Sequence, residues 1–237
     1  MDNRLTMRRF RLFICCLCAC GFAFHAIGSV AAEAVPAERP AVHIGDIWKY
    51  RTVDGYTNET TNEFSHRIVD LSDQEITVQL KNKNSSVREQ RFFTREWNSV
   101  DIGNASFKPY YPEYKFPLAV GQEWKQEFKS VLTSGAFYTG FVTAKITAFE
   151  KVTVPAGSFD AYKIERNIES RGTDANSNIT TGHVITWYAP AIGKFVRREM
   201  VNIANGRIRD KSVEELVEFL PSEKIALPQA GHSVPRP

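Results

Sequence analysis

Beyond residue 20 the 237-residue sequence contains no cysteine; Cys15, Cys16, Cys18 and Cys20 all fall in one apolar stretch near the N-terminus. A mature chain without thiols has no disulfide framework, no thiol nucleophile and no cysteine-ligated zinc. Such a domain must be held together by its core, and about 200 residues are enough to bury one. Histidine is scarce as well. His43, His66 and His183 lie in the central region and His232 near the C-terminus, none with a His or Cys at i+2 or i+4. A zinc site is therefore not expected. There is no Gly-x-Ser-x-Gly elbow and no Gly-x-x-x-x-Gly-Lys loop, which removes the sequence signatures of an α/β-hydrolase nucleophile and of a phosphate-binding loop. No cofactor is implied. An excess of one charge is also missing. Residues 1–32 carry four of the 30 Lys+Arg and one of the 27 Asp+Glu, leaving 26 of each sign from residue 33 onward. A polyanion partner needs a basic surface, so nucleic acid is not an expected partner.

The N-terminus has three parts: four arginines before residue 12, an apolar run from Leu12 to Val30, and small residues at Ala31-Ala32-Glu33-Ala34. This is the pattern of a secretory signal, residues 1–34, with cleavage after Ala32 or Ala34. The run is long enough for an uncleaved anchor, but Gly21, His25 and Gly28 interrupt it and the small-residue exit favours cleavage. Leu17-Cys18-Ala19-Cys20 faintly resembles a lipoprotein box, although apolar chain follows Cys20 instead of a polar tether. Contact with a membrane is thus expected only through the signal or, less favoured, a lipid anchor. Sequons begin at Asn58, Asn84, Asn104 and Asn178; they matter only in a eukaryotic secretory route. The cysteine-free length favours a bacterial periplasmic or secreted protein.

Residues 35–42 read as a linker, 43–220 as the folded region and 221–237 as a proline-rich disordered tail. Inside the folded region apolar residues alternate. Phe64, His66 and Ile68 share one parity, as do Ile76, Val78 and Leu80, then Val142, Ala144, Ile146 and Ala148, and then Ile185 and Trp187. Turn residues punctuate these runs at Asp70–Asp73, Asn82–Ser86, Ser134-Gly135, Gly172–Ser177 and Asn205-Gly206. The reading is an all-β chain, an antiparallel meander that forms a curved sheet, barrel or sandwich. Residues 212–220 carry a capping-box pattern with helical spacing, yet Val213, Val217 and Phe219 also share a strand parity, and a hairpin-type Asn-Gly precedes them. They are read as strand.

Gly45-Asp-Ile-Trp48-Lys49 recurs as Gly121-Gln-Glu-Trp124-Lys125, which points to two related β halves joined by residues 102–118. Asp46 is replaced by Gln122 in the second copy, so a polar turn residue suffices there and a catalytic carboxylate is not required. Val154-Pro-Ala-Gly157-Ser-Phe159 reads as a hairpin tip, and Trp187-Tyr-Ala-Pro-Ala-Ile-Gly193 as a strand entering a proline–glycine turn. These blocks, with Val196-Arg-Arg-Glu199, resemble an uncharacterised family of exported bacterial β proteins over most of residues 43–220. The resemblance implies a β-barrel-like fold and an envelope location; it carries no established activity or functional residues.

Chemistry is concentrated in aromatics. Phe107-Lys-Pro-Tyr110-Tyr111-Pro-Glu-Tyr114-Lys-Phe116-Pro117 places five rings and three prolines in the connection between the halves. Tyr110, Tyr111, Tyr114 and Phe116 are the candidate binding residues, since rings offer large rigid contact area to an apolar or sugar ligand. The competing reading is a stiff crossover whose rings plug an open end. Trp48, Trp97, Trp124 and Trp187 read as core anchors, and His66 as a partly buried, hydrogen-bonded side chain. The functional expectation is a non-enzymatic protein that binds an apolar or amphiphilic envelope molecule. The alternatives are an interaction module docking another envelope protein and a hydrolase of envelope glycans or esters.

Overall fold

Sequential strands pair in antiparallel register all the way round, most of them joined by short turns and β6 to β7 by the longer connection 112–122 (computed structural model, residues 35–173 and 179–225 described). The strands are β1 (Ile47–Asp54), β2 (Thr60–Leu71), β3 (Glu75–Asn82), β4 (Arg88–Thr94), β5 (Ser99–Asp101) and β6 (Ala105–Tyr111), followed by β7 (Glu123–Leu132), β8 (Phe137–Val154), β9 (Gly157–Gly172), β10 (Ile179–Ala189), β11 (Lys194–Ala204) and β12 (Arg207–Leu220). Pairing of β1 with β12 closes the sheet into a barrel, which removes both edges. The expectation of an antiparallel all-β meander is met, and the barrel is the member of the three options that forms. Residues 212–220 are strand, as read from the sequence. The signal segment lies outside the described residues, as do residues 174–177 of one expected turn and most of the expected tail; within that tail Ser222–Ile225 form one helical turn.

The turns follow their residue types. Asn205 and Gly206 both have positive φ, 53° and 71°, the requirement of a type I′ hairpin. Val154 pairs with Gly157 across the two-residue tip Pro155-Ala156. The Gly-x-x-Trp recurrence is matched in three dimensions. Gly45 and Gly121 have φ of 98° and 88°. The Gly45 N–H donates to Ile68 O and the Ile68 N–H to Asp46 O; in the second half Gly121 donates to Ile146 O and Ile146 to Gln122 O. Asp46 Oδ2 accepts the His43 N–H at 2.8 Å, and Gln122 Oε1 accepts the Ala119 N–H at 3.4 Å. Each copy opens a six-strand half, β1–β6 or β7–β12.

Alternation sorts the two faces, but bulges reset its phase. A bulge between Ile146 and Ala148 leaves Val142, Ala144 and Ile146 buried and pairs Ala148 with the outward Lys163, so Ala148 does not share their face. A second bulge skips Val217, putting Glu218 outside and Phe219 inside, stacked on Trp48 at 5.2 Å. Val213, Val217 and Phe219 therefore do not share a face as expected. The outward side carries an ion-pair ladder: Arg51 donates to Glu215, Arg197 donates to the same carboxylate, and Lys49 meets Glu218 at 2.6 Å. Trp187 lies outward too, bonded to Glu150 at 2.8 Å and flanked by Lys163 and Arg197.

One end is stoppered by Trp48, Trp97, Tyr188 and Ile192, all buried. Residues 35–42 lie across this end: Ala37 bridges Leu118 through two hydrogen bonds and Val42 is buried. The wall is thinnest at β5. Its three residues make two register pairs with β4 and two with β6, whereas β8 and β9 share sixteen.

Close packing inside the wall makes a test. A Cβ at Gly140 would sit 2.1 Å from the Phe128 ring. Gly140→Ala is expected to destabilise the barrel by about 1–3 kcal/mol in urea unfolding, as overpacked cores do.

Candidate functional site

The turn between β10 and β11, a single 3-10 turn at Pro190–Ile192 capped by left-handed Gly193, is held by aromatics from the other half of the chain. Trp48 Nε1 donates to Ile192 O at 3.1 Å, Trp97 Nε1 to Gly193 O at 2.8 Å, and the Tyr50 hydroxyl to Phe195 O at 2.8 Å. Trp97 takes φ of 63° to reach its partner, a conformation that costs a non-glycine residue about 1–3 kcal/mol. These anchors fix the start of β11, so that Lys194 and, farther along, Arg198 face the interior.

Opposite them a fully buried Asn98 sets the chain after β6. Its Oδ1 accepts the N–H groups of Glu113 and Tyr114 at 2.7 and 2.8 Å, and its Nδ2 donates to Tyr114 O at 3.1 Å. The side chain thereby replaces a strand neighbour and aims Glu113 inward. Glu113 Oε1 accepts the Ser99 hydroxyl at 2.8 Å; Oε2 accepts Arg198 Nη2 at 2.5 Å and lies 3.8 Å from Arg166 Nη2. Burial pushes the Glu113 carboxyl up, but Arg198, Arg166 and the Ser99 hydroxyl outweigh it and hold the group below the usual carboxylate range. The reverse holds on Arg198, where burial is overcome by Glu113, Tyr114 and Glu214 and the guanidinium stays charged. Burial drives the Tyr114 phenol up to about 12.

Between these groups lies a cavity of about 230 Å³. Phe93, Trp97, Ile102, Phe107, Tyr111 and Phe195 form an apolar wall, and His66, Arg91, Lys194 and Arg198 bring polar groups to it. Several of those groups have no partner among the described residues: both ring nitrogens of His66, and the Nε atoms of Arg91 and Arg198. Beside the cavity, Arg166 leaves Nε and Nη1 unpaired. Each buried polar atom left so costs about 1–3 kcal/mol. Lys194 Nζ sits 3.2 Å from the Trp97 ring centroid and 5.3 Å from those of Trp48 and Phe93, against aromatic faces that attract a cation. Burial holds the Lys194 amine well below its usual value, against the pull of Glu113 and with the push of Arg198 and Arg91.

The structure divides the expected aromatic segment. Tyr111 and Tyr114 line the cavity, while Tyr110 and Phe116 do not; Phe116 packs on Tyr114 and Tyr188 near the stoppered end. His66 is buried as read, but its ring packs edge-on to Tyr50 and tilted against Phe64, with no hydrogen bond among the described residues. Sequence reasoning missed Glu113, Arg166, Lys194 and Arg198. A signal existed for Arg166, which has the same parity as Ile164 and Ile168 in β9, placing a charge on an apolar face. Glu113 and Lys194 left none, because each is aimed by a long-range anchor. Among the described residues no three His, Cys, Asp or Glu side chains come together as a metal site.

The DUF3108-like family matches residues 136–212, a stretch that contains the Pro155-Ala156 tip and the Pro190–Gly193 turn. Two solved structures share the fold. One is described as a candidate lipoprotein of Parabacteroides distasonis, 17% identical, covering 79% of this chain and 100% of its own, with a TM-score of 0.53. The other is described as an exported protein of Bacteroides fragilis with a YmcC-like fold, 14% identical, covering 78% of this chain and 100% of its own, with a TM-score of 0.51. No curated protein matches the chain.

Two tests follow from the electrostatics. Glu113→Ala leaves Arg198 and Arg166 buried without their carboxylate and is expected to cost about 3–5 kcal/mol in urea unfolding. For His66, burial and then Lys194, Arg91 and Arg198 hold the imidazole well below its ordinary value of 6.5. The unfolded chain then takes up the proton first, so stability falls as pH drops below about 6.5. The loss of Tm between about pH 7.5 and about pH 5.5 should be smaller in His66→Leu than in the parent.

Proposed function

We propose that the chain is a non-enzymatic binding protein of the bacterial envelope, periplasmic or secreted, that receives part of an amphiphilic molecule inside its barrel. The observation that carries this reading is the interior cavity, apolar on one side and lined on the other by buried polar atoms that none of the described residues satisfies. Natural interiors rarely leave such atoms unpaired unless a water or a ligand completes them. At about 230 Å³, below the roughly 300–1,000 Å³ of pockets that enclose a whole drug-sized molecule, it suits a headgroup and the first carbons of a chain. The remainder would leave past Ile102 and Phe107, half-buried residues beside the thin β5 wall.

The outward ion-pair ladder supports a barrel surrounded by water, since a lipid-embedded barrel presents an apolar band. The secretory pattern of the N-terminus supports export. Nothing in the cavity supports turnover: the Ser99 hydroxyl is spent on Glu113, both Glu113 oxygens are engaged, and His66 bonds to neither a hydroxyl nor a carboxylate.

Native mass spectrometry of gently purified protein is expected to retain a small molecule, and the neutral fluorophore N-phenyl-1-naphthylamine is expected to bind. Ile102→Trp fills the mouth and should abolish both. No retained mass, or fluorophore binding indifferent to Ile102→Trp, rules out the cavity as the site.

A further inference from the structure

We infer that the polar side of the cavity is a seat for an anionic headgroup, a carboxylate or a phosphate ester, received by Lys194, Arg91 and Arg198. The inference rests on the ligand-binding reading above and specifies the chemistry of what binds. Three cationic side chains line the cavity against one carboxylate, Glu113. Beyond the lining come one more guanidinium, Arg166, 3.8 Å from Glu113 Oε2, and one more carboxyl, Glu214, 3.8 Å from Arg198 Nη1 and pushed up by burial. With the Lys194 amine neutral the lining is still two positive charges to one negative. Glu113 does not fill the role of counterion for all of them, because Ser99 and Arg198 occupy its two oxygens.

The unpaired groups are donors of the kind an anion takes. Arg91 and Arg198 each leave a guanidinium Nε unbonded, and Lys194 Nζ makes no hydrogen bond or ion pair among the described residues. His66, 6% exposed with both nitrogens free, supplies one N–H donor in its neutral form. A neutral hydroxyl headgroup would satisfy one or two of these groups and leave the charge excess in place. An anion satisfies the donors and cancels the charge together, and charge-assisted bonds are the stronger ones. The aromatic faces of Trp48, Phe93 and Trp97 lie against Lys194 Nζ, and Phe93 and Trp97 line the cavity with it. Burial depresses the Lys194 amine, and an arriving anion would draw a proton back onto it.

The test is competition against N-phenyl-1-naphthylamine with four probes: dodecanoate, dodecyl phosphate, dodecanol and inorganic phosphate. Dodecanoate and dodecyl phosphate are expected to compete about 10- to 100-fold more tightly than dodecanol, the range for charge-assisted hydrogen bonds. That ratio should fall toward one in Lys194→Met and in Arg91→Gln, each checked for an intact barrel by far-ultraviolet circular dichroism. Equal competition by dodecanol and dodecanoate, or a ratio unchanged in the folded variants, overturns the anion seat while leaving the cavity reading standing. Inorganic phosphate competing as tightly as dodecyl phosphate overturns the assignment to an amphiphile. Failure of all four probes to compete overturns the cavity reading itself.

Discussion

The pairing of Glu113 with Arg198 across the barrel interior is the interaction on which the rest of the site depends. It joins the connection between the halves to β11 and lets Arg198 stay charged away from bulk water, with Arg166 3.8 Å from the same carboxylate. Such a cluster is a poor source of stability for its own sake, because desolvation consumes much of the Coulombic gain. What it provides is position. Once the carboxylate is spoken for by Ser99 and Arg198, the remaining guanidinium and ammonium groups are held facing a space they cannot fill themselves.

A closed barrel of twelve strands is wider than one that short aliphatic side chains can fill. This chain occupies the lumen in two ways. At the stoppered end it uses large rings, with Trp48 against Trp97 at 5.6 Å, Tyr50 against Phe195 at 4.5 Å and Tyr114 against Tyr188 at 5.4 Å. Above them it uses long charged side chains whose stems pack and whose heads meet. Rings fill space and point their few polar atoms at backbone carbonyls; the charged layer leaves donors over.

Much of the architecture was legible in the sequence because the period-2 pattern and the turn residues act locally. Asn205-Gly206, Pro155-Ala156 and the two Gly-x-x-Trp turns specify their own geometry, and closure follows when each strand pairs with the next. The failures have one cause. A bulge is a single extra residue, invisible to an alternation count, yet it moves every following side chain to the other face, as at Ala148 and Phe219. The site was harder to read. Tyr111 and Tyr114 could be singled out because rings cluster in the linear chain, whereas Glu113, between Pro112 and Tyr114, carries no such signal, because Asn98 aims it from fifteen residues away.

The short β5 strand makes one seam of the wall weaker than the rest. Where β8 and β9 share sixteen positions, β5 is tied to each neighbour by only two. Opening the wall there severs a handful of backbone hydrogen bonds and leaves the long hairpins of the second half zipped. On the proposed reading a guest would enter sideways, through this seam of the staves, while the stopper of Trp48 and Trp97 stays in place like the lid of a cask.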